Sequence, residues 1–333
     1  MAKYIFNDNT KLLFIKDNYI LVENKKNAFK KKFDSSFYEK LLDACRKHYI
    51  FNSSFFSKNE LNFLEKNLIV KKVSPILDKY IGTKYEKFQI YLENIFSDAN
   101  KIDYIKNNET KKILFVGAGG ICTAMIDYLI SVGITQFGVV DFDIVDITNF
   151  NRQFKYKEND IGHSKITQLK ENLNTQYKNL IIVPYEKKIS STLELKEIIE
   201  DYNPSFVICS ADTPILLIQK YVAEACSVNN IPCIFGGVGQ RSGSFGPLLY
   251  NKKGFCRYLK EINKILNNVV NIFPCKGSFS ITNSLISNYM ASDVIFYLLN
   301  KKEKVKSLNK KCELDFDRNE IYEKEKYWYW TIY

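Results

Sequence analysis

"ILFVGAGGICTAMIDYLISVG", residues Ile113 to Gly133, decides how the rest of the chain is read. An apolar run ends in a glycine-rich turn, and an apolar helical pattern follows at once. Strand, glycine turn and helix in that order form a phosphate-binding unit, because glycines let backbone N–H groups approach a phosphate at the positive end of the helix. The fingerprint G-x-G-x-x-G is incomplete: Gly117 and Gly119 hold its first two glycine positions, but Cys122 holds the third. That third glycine serves close helix–sheet packing. Either a dinucleotide site carries a flaw here, or a different nucleotide occupies it.

Outward from this stretch the pattern continues. From Lys111 the apolar strands KKILFVG, FGVVDFD, NLIIVPY, SFVICSAD and PCIFGGVG alternate with helical segments around 121–132, 163–175, 191–202 and 214–229. Such alternation predicts an α/β fold with a doubly wound, mostly parallel, Rossmann-like sheet. Upstream, KLLFIKDNYILVEN turns about Lys16–Asn18 and reads as a hairpin. Two helices follow, each opened by an S-x-x-E capping box, Ser36 with Glu39 and Ser57 with Glu60, and then the short strand NLIVKKV. These elements predict a small winged-helix-like α+β module over residues 1–75. A helical linker over 76–110 leads to the α/β domain over 111–333.

Composition narrows the function classes. The chain has 333 residues, 46% of them hydrophobic, enough for two domains with buried cores. Its formal charge of +11 suits acidic partners, yet the lysines are spread along the chain and form no basic stripe interleaved with aromatics. Nucleic acid is therefore not the expected partner. The segment MAKYIFNDNTKLLFIK lacks the apolar core of a signal peptide, and no stretch has the length of a membrane span. The eight cysteines are scattered, several in apolar contexts such as FVICS and IPCIF. That is buried-thiol usage, and with it the expected setting is a reducing cytoplasm.

Residues after the glycine turn separate the two nucleotide readings. Asp141 ends the second strand, where a carboxylate can accept both hydrogens of a ribose diol. Asn149 and Arg152 follow in VVDFDIVDITNFNRQF, and Lys165 in GHSKITQLK. Two cations beside an N–H-lined turn suit a triphosphate better than a nicotinamide. Asp212 in VICSADTP stands at the carboxyl end of another strand, where it could hold Mg²⁺ on phosphate oxygens. Taken singly, Lys165 reads as a surface lysine and Arg152 as an ion-pair partner; their joint order along the chain favours a site.

With GAGGI, VVDFDIVDITNFNRQ, GHSK and SADTP in this order, the sequence resembles the ThiF/MoeB superfamily of ATP-using adenylyltransferases, related to ubiquitin-activating enzymes, from Lys84 to Leu299. The resemblance implies an ATP site lined by Gly117, Gly119 and Gly120. It implies that Asp141 holds the ribose, that Asn149, Arg152 and Lys165 contact phosphates, and that Asp212 holds Mg²⁺. Arg152, Lys165 and Asp212 would be the catalytic residues. A closer likeness is to the MccB-type branch, carried by SADTPILLIQKYVAEACSVNNIPCIFGGVGQRSGSFGPLLY and by the N-terminal module. It implies activation of the C-terminal carboxyl or amide of a ribosomally made precursor peptide, whose leader is held by residues 1–75, in a homodimer. A sulfur-carrier or ubiquitin-like activator and a non-catalytic peptide-presenting partner are the alternatives.

Three departures from the family stand out. Members often bind zinc through two C-x-x-C pairs, whereas Cys256 and Cys312 stand alone, so zinc is not expected. An arginine-rich segment, supplied across the family dimer to the phosphates, is replaced by KYEKF, with Lys84 and Lys87 keeping the charge but not the bidentate fork. No cysteine has a thioester setting; Cys275 in NIFPCKGSF comes nearest and reads as a structural thiol. RSGSFGPLL (241–249) reads as a bent strand on the substrate side or a plain glycine-containing hairpin, and the tail YEKEKYWYWTIY as a sheet edge or a dimer contact.

Overall fold

A computed structural model describes residues 1–268 and 277–324. Cys275 and the tail from residue 325 lie outside the described residues. The chain divides into two compact units, Met1–Asp103 and Tyr104–Tyr333, so the expected linker is shared between them.

The first unit contains β1 (Lys3–Phe6), β2 (Lys11–Ile15), β3 (Tyr19–Glu23), β4 (Ala28–Lys32), α1 (Ser35–Lys47), β5 (Ile50–Asn52), α2 (Lys58–Lys66), β6 (Val70–Lys72), α3 (Pro75–Tyr80) and α4 (Glu86–Ile95). Two antiparallel sheets form, in the orders β2-β3-β4 and β5-β1-β6. The expected hairpin is β2–β3, turning through Asp17 and Asn18, both at positive φ as short polar turn residues allow. Ile20 and Val22 alternate inward and bury against Phe37, Leu41 and Ala44 of α1 and Leu61 and Leu64 of α2. The capping box at Ser57 and Glu60 is present. The one expected at Ser36 is not: Asp34 caps α1, its Oδ1 accepting from the Phe37 N–H at 2.8 Å. Within the run Asp34-Ser35-Ser36 the ionised carboxylate is the stronger acceptor at a helix N-terminus. Strands β1, β4 and β5 were not legible, being three to five residues long with little alternation.

In the second unit come α5 (Tyr104–Glu109), β7 (Lys112–Val116), α6 (Gly120–Ser131), β8 (Gln136–Asp141), α7 (Lys165–Gln176), β9 (Ile181–Glu186), α8 (Thr192–Tyr202), β10 (Phe206–Cys209), α9 (Leu217–Asn229), β11 (Cys233–Val238), β12 (Ser242–Leu249), α10 (Lys252–Leu266), α11 (Ser280–Leu298), β13 (Lys311–Asp315) and β14 (Glu320–Lys324). They form one sheet in the order β14-β13-β12-β11-β10-β7-β8-β9. The five strands from β11 to β9 are parallel, and β12, β13 and β14 add on antiparallel. RSGSFGPLL holds strand β12, which forms one arm of a hairpin with β11.

Both faces of the sheet are covered. Leu114, Val116, Val207, Cys209 and Phe235 pack on α8, α9 and α10, with Phe235 stacked on Tyr258 at 4.8 Å between ring centroids. On the other face α11 lies against α6 and against β11 and β12, close enough that a Cβ on Gly236 would meet Met290 Sδ at 2.1 Å. The winding sets the site. The chain runs β7, β8, β9 outward in one direction, then returns through α8 to β10 on the other side of β7. The carboxyl ends of β7 and β10 therefore flank a switch point, where such sheets leave a crevice.

Candidate active site

The glycine turn occupies that crevice. Gly117 ends β7 at φ +101°, a left-handed conformation natural to glycine, and a Cβ there would lie 2.8 Å from Ala211 N. Its N–H donates to Val140 O at 2.8 Å, and the Ser210 and Ala211 N–H groups donate to Val116 O at 3.0 Å. The ends of β7, β8 and β10 are thereby fastened together. Gly119 caps α6 with open space where a Cβ would stand, whereas Gly120 packs against Asn283 of α11, whose Oδ1 would meet a Cβ at 2.4 Å. Cys122 is fully buried, and burial pushes its thiol well above the usual range. It fills the space of the missing glycine as a packed thiol.

Asp141 ends β8, and its two oxygens are split between backbone donors. Oδ2 accepts from Ala118 N at 2.6 Å and Oδ1 from Asp143 N at 2.8 Å. Burial raises its pKa above the usual aspartate value, opposed by those two hydrogen bonds and by Lys165. The carboxylate thus braces the glycine turn, with lone pairs left for a further donor. The Tyr156 hydroxyl steadies the same turn, donating to Ala118 O at 2.9 Å.

Lys165 begins α7 and is buried; its ammonium is 2.8 Å from Asp143 Oδ2. Arg152 is held by Thr148 O at 2.9 Å and Asn151 Oδ1 at 2.8 Å. Asp212 follows β10 and is exposed, its Oδ1 accepting from the Thr213 hydroxyl at 3.1 Å. Together with Gly117, Gly119, Gly120 and Asp141, these three side chains line one cleft of about 570 Å³.

Of the other two expected residues, one turns away from the cleft and one belongs to the first unit. Asn149 is buried and does not line the cleft; its Oδ1 accepts from Asp146 N at 3.1 Å, within the capping of the short helical turn Ile147–Asn149 that precedes Arg152. Lys87 belongs to the first unit, where its ammonium lies 3.9 Å from the Tyr49 ring centroid and 3.6 Å from Glu86 Oε1. The cleft also has walls that were not anticipated: Asp143, Gln153, Lys187, Ser210 and Asn283. Asp143 and Gln153 adjoin named positions and could have been included. Asn283 could not, since only the packing of α11 on α6 brings it to Gly120.

Set against known proteins, residues 91–326 match the ThiF family model, and the chain belongs to that family. An adenylyltransferase and sulfurtransferase MOCS3 of Caenorhabditis briggsae is 27% identical over 160 residues, covering 48% of this chain and 39% of that protein. A sulfur carrier protein adenylyltransferase of Thermus thermophilus is 25% identical over 191 residues, covering 56% and 69%. This chain therefore spans less than half the length of the first of these relatives. Among solved structures, that of E. coli MccB with AMPCPP and MccA superposes with a TM-score of 0.68 at 21% identity, over 97% of this chain and 96% of that one. The likeness is one of fold, and it extends over residues of both units.

Proposed function

We propose that this protein is an ATP-dependent adenylyltransferase that activates the C-terminal carboxyl or amide of a ribosomally made precursor peptide. The observation that carries the reading is the meeting of Gly119, Asp141, Arg152, Lys165 and Asp212 in one cleft at the switch point of the sheet. For a carboxyl substrate, a carboxylate oxygen forms a bond to the α-phosphorus of ATP. The bond from that phosphorus to its bridging oxygen breaks, and pyrophosphate leaves with the electron pair. Such a transfer needs positioning and charge neutralisation more than acid–base chemistry.

The residues fit these tasks. The open N–H-lined turn at Gly119 receives phosphate oxygens, and Asp141, already braced by two N–H donors, accepts from ribose hydroxyls. Phosphates compete with Asp143 for Lys165. Among the described residues no group of three or more His, Cys, Asp or Glu is gathered for a metal. Mg²⁺, however, is commonly held by one or two carboxylates plus phosphate oxygens, and Asp212, exposed and accepting from the Thr213 hydroxyl, suits that mode. When bound, Mg²⁺ would neutralise phosphate charge.

Peptide capture falls to the first unit. Strand β4 (AFKKK) is an exposed edge of its sheet, with Lys30 and Lys32 lying over the Tyr19 ring. An open edge adds a peptide strand through main-chain hydrogen bonds, and its lysines favour an acidic leader. The neighbour named MccB, crystallised with MccA, supports this reading. Activation of a sulfur-carrier or ubiquitin-like protein is the second reading, favoured by the relatives' names. A homodimer belongs to either. The test is ATP–pyrophosphate exchange with the wild type and Asp212→Ala, using a precursor peptide or a carrier protein as acyl substrate. Exchange dependent on the carrier alone would select the second reading. Wild-type exchange in the variant would remove Asp212 from the site.

A further inference from the structure

Helix α11 begins beside the glycine turn, and its first turn is fastened both to that turn and to the segment carrying Arg152. Asn283 is buried and lines the cleft. Its Nδ2 donates to Ser278 Oγ at 2.6 Å and to Phe279 O at 2.8 Å. A carbonyl oxygen only accepts, so the contact with Phe279 O fixes which way the amide faces. Oδ1 therefore lies against the start of α6: a Cβ on Gly120 would meet it at 2.4 Å and Arg152 Cγ at 3.4 Å. Amide, arginine stem and glycine converge on one point. One turn along α11, Ser287 Oγ is 2.7 Å from Asn283 O and 3.3 Å from Ile121 O, which holds the two helices in register. A second line of contacts reaches the guanidinium. Ser278 O accepts from Asn151 Nδ2 at 2.7 Å, and Asn151 Oδ1 accepts from Arg152 Nη1 at 2.8 Å. A long side chain such as arginine meets a phosphate in the right geometry only when packing and supporting hydrogen bonds hold its rotamer.

We propose that Asn283 is a positioning residue for the phosphate end of the site, aiming Arg152 from α11 with an uncharged amide. The inference rests on the adenylating reading, in which Arg152 contacts phosphates, and adds a residue that the order of motifs along the chain does not reveal. The amide meets two demands at once. Its N–H groups pin Ser278 and Phe279, and Ser278 in turn holds the Asn151 side chain that engages Arg152. Its oxygen fills the space beside Gly120 without setting a full negative charge at the α6 N-terminus, where phosphates are to lie. Aspartate has nearly the same shape and fails on both counts. It loses the donors, and its charge competes with phosphate for the helix N-terminus and for the arginine.

The test uses the full-length chain, calorimetric titration of ATP with Mg²⁺ in the absence of peptide, and a thermal melt of every variant. Asn283→Ala should weaken ATP binding about ten-fold, the size of coupling met between groups in one hydrogen-bonded network. In an Arg152→Ala background the same substitution should cost almost nothing, because no guanidinium is left to aim. Ser278→Ala, which removes one of the two acceptors of Nδ2 and leaves the main chain unchanged, should show a smaller loss with the same dependence on Arg152. Asn283→Asp should bind ATP more weakly than Asn283→Ala yet melt no lower, since a carboxylate at a helix N-terminus is stabilising. A merely structural role would tie the two readouts together, the less stable variant binding less ATP. A loss from Asn283→Ala or Ser278→Ala that is the same with and without Arg152 overturns the inference alone. So does Asn283→Asp binding ATP as well as Asn283→Ala. Wild-type affinity in Arg152→Ala takes the arginine off the phosphates, and overturns that assignment and this inference with it.

Discussion

Two alanine substitutions two residues apart should separate the structural from the binding role of the glycine turn. At Gly117 the backbone is left-handed, φ +101°, and a Cβ would lie 2.8 Å from Ala211 N, 3.0 Å from its Cα and 3.2 Å from its Cβ. A left-handed alanine costs about 1–2 kcal/mol, and an added atom in a packed site about 1–3 kcal/mol. Gly117→Ala should therefore lose roughly 2–5 kcal/mol, which for a unit of this size lowers the melting temperature on the order of 10 °C. The strain falls on the backbone before Asp212, so exchange activity should fall as well. At Gly119 φ is −81° and nothing stands within 4 Å of the added atom. Gly119→Ala should cost at most about 1 kcal/mol, as a poorer helix cap. Its methyl, however, occupies the floor over which phosphates must approach the backbone, so ATP affinity should drop about ten-fold or more. Thermal melts and calorimetric ATP titration of both variants decide the matter. Wild-type ATP affinity in Gly119→Ala would refute the placing of phosphates on this turn, and equal destabilisation by the two would refute the packing argument.

Asp212→Ala should melt like the wild type, because the residue is exposed and, among the described residues, accepts from the Thr213 hydroxyl alone, yet abolish ATP–pyrophosphate exchange; residual exchange near the wild-type rate would count against it. Reversing Lys30, Lys31 and Lys32 to Glu should weaken binding of an acidic precursor peptide while ATP affinity stays put, and equal peptide affinity would move recognition off β4. Asp293 accepts from the Ser307 hydroxyl and from the Ser307 and Lys306 N–H groups, and burial raises its pKa above the usual 3.8. Its folded value lies above the unfolded one, so its contribution to stability is complete below that usual value and is lost as pH rises through the raised one. Asp293→Asn should remove that part of the pH dependence, beneath a constant loss from its missing acceptor; parallel stability–pH curves for the two proteins would contradict it. Metal analysis should find no stoichiometric zinc, since Cys312 is buried on β13, Cys256 is exposed on α10 and no C-x-x-C exists; one zinc per chain after dialysis would overturn this.

The periodicity of the second unit alone determined the five parallel strands of its sheet and the helices between them. Its apolar strands and amphipathic helices are long enough for burial to dominate local choice, and β7 to β11 fall where the alternation put them. The glycine turn and the carboxylates at strand ends were equally legible, because winding a parallel sheet brings strand ends to one edge whatever lies between. Short strands such as β1 and β5 were beyond reach, since their pairing is set by partners distant in the chain. So was the cap at Asp34, where three adjacent residues could each serve. Tertiary packing also settled which site residues face the cleft: Asn149 turned inward to cap its own loop, and Asn283 arrived from α11 to close against Gly120. Only the register of β12 on β13 set Lys311 and Glu313 beside Ser244 in the lining of the cleft. Spacing along a chain fixes which atoms can lie on one face of one element. Which faces meet depends on how those elements bury their apolar sides together, and only the folded chain resolves that.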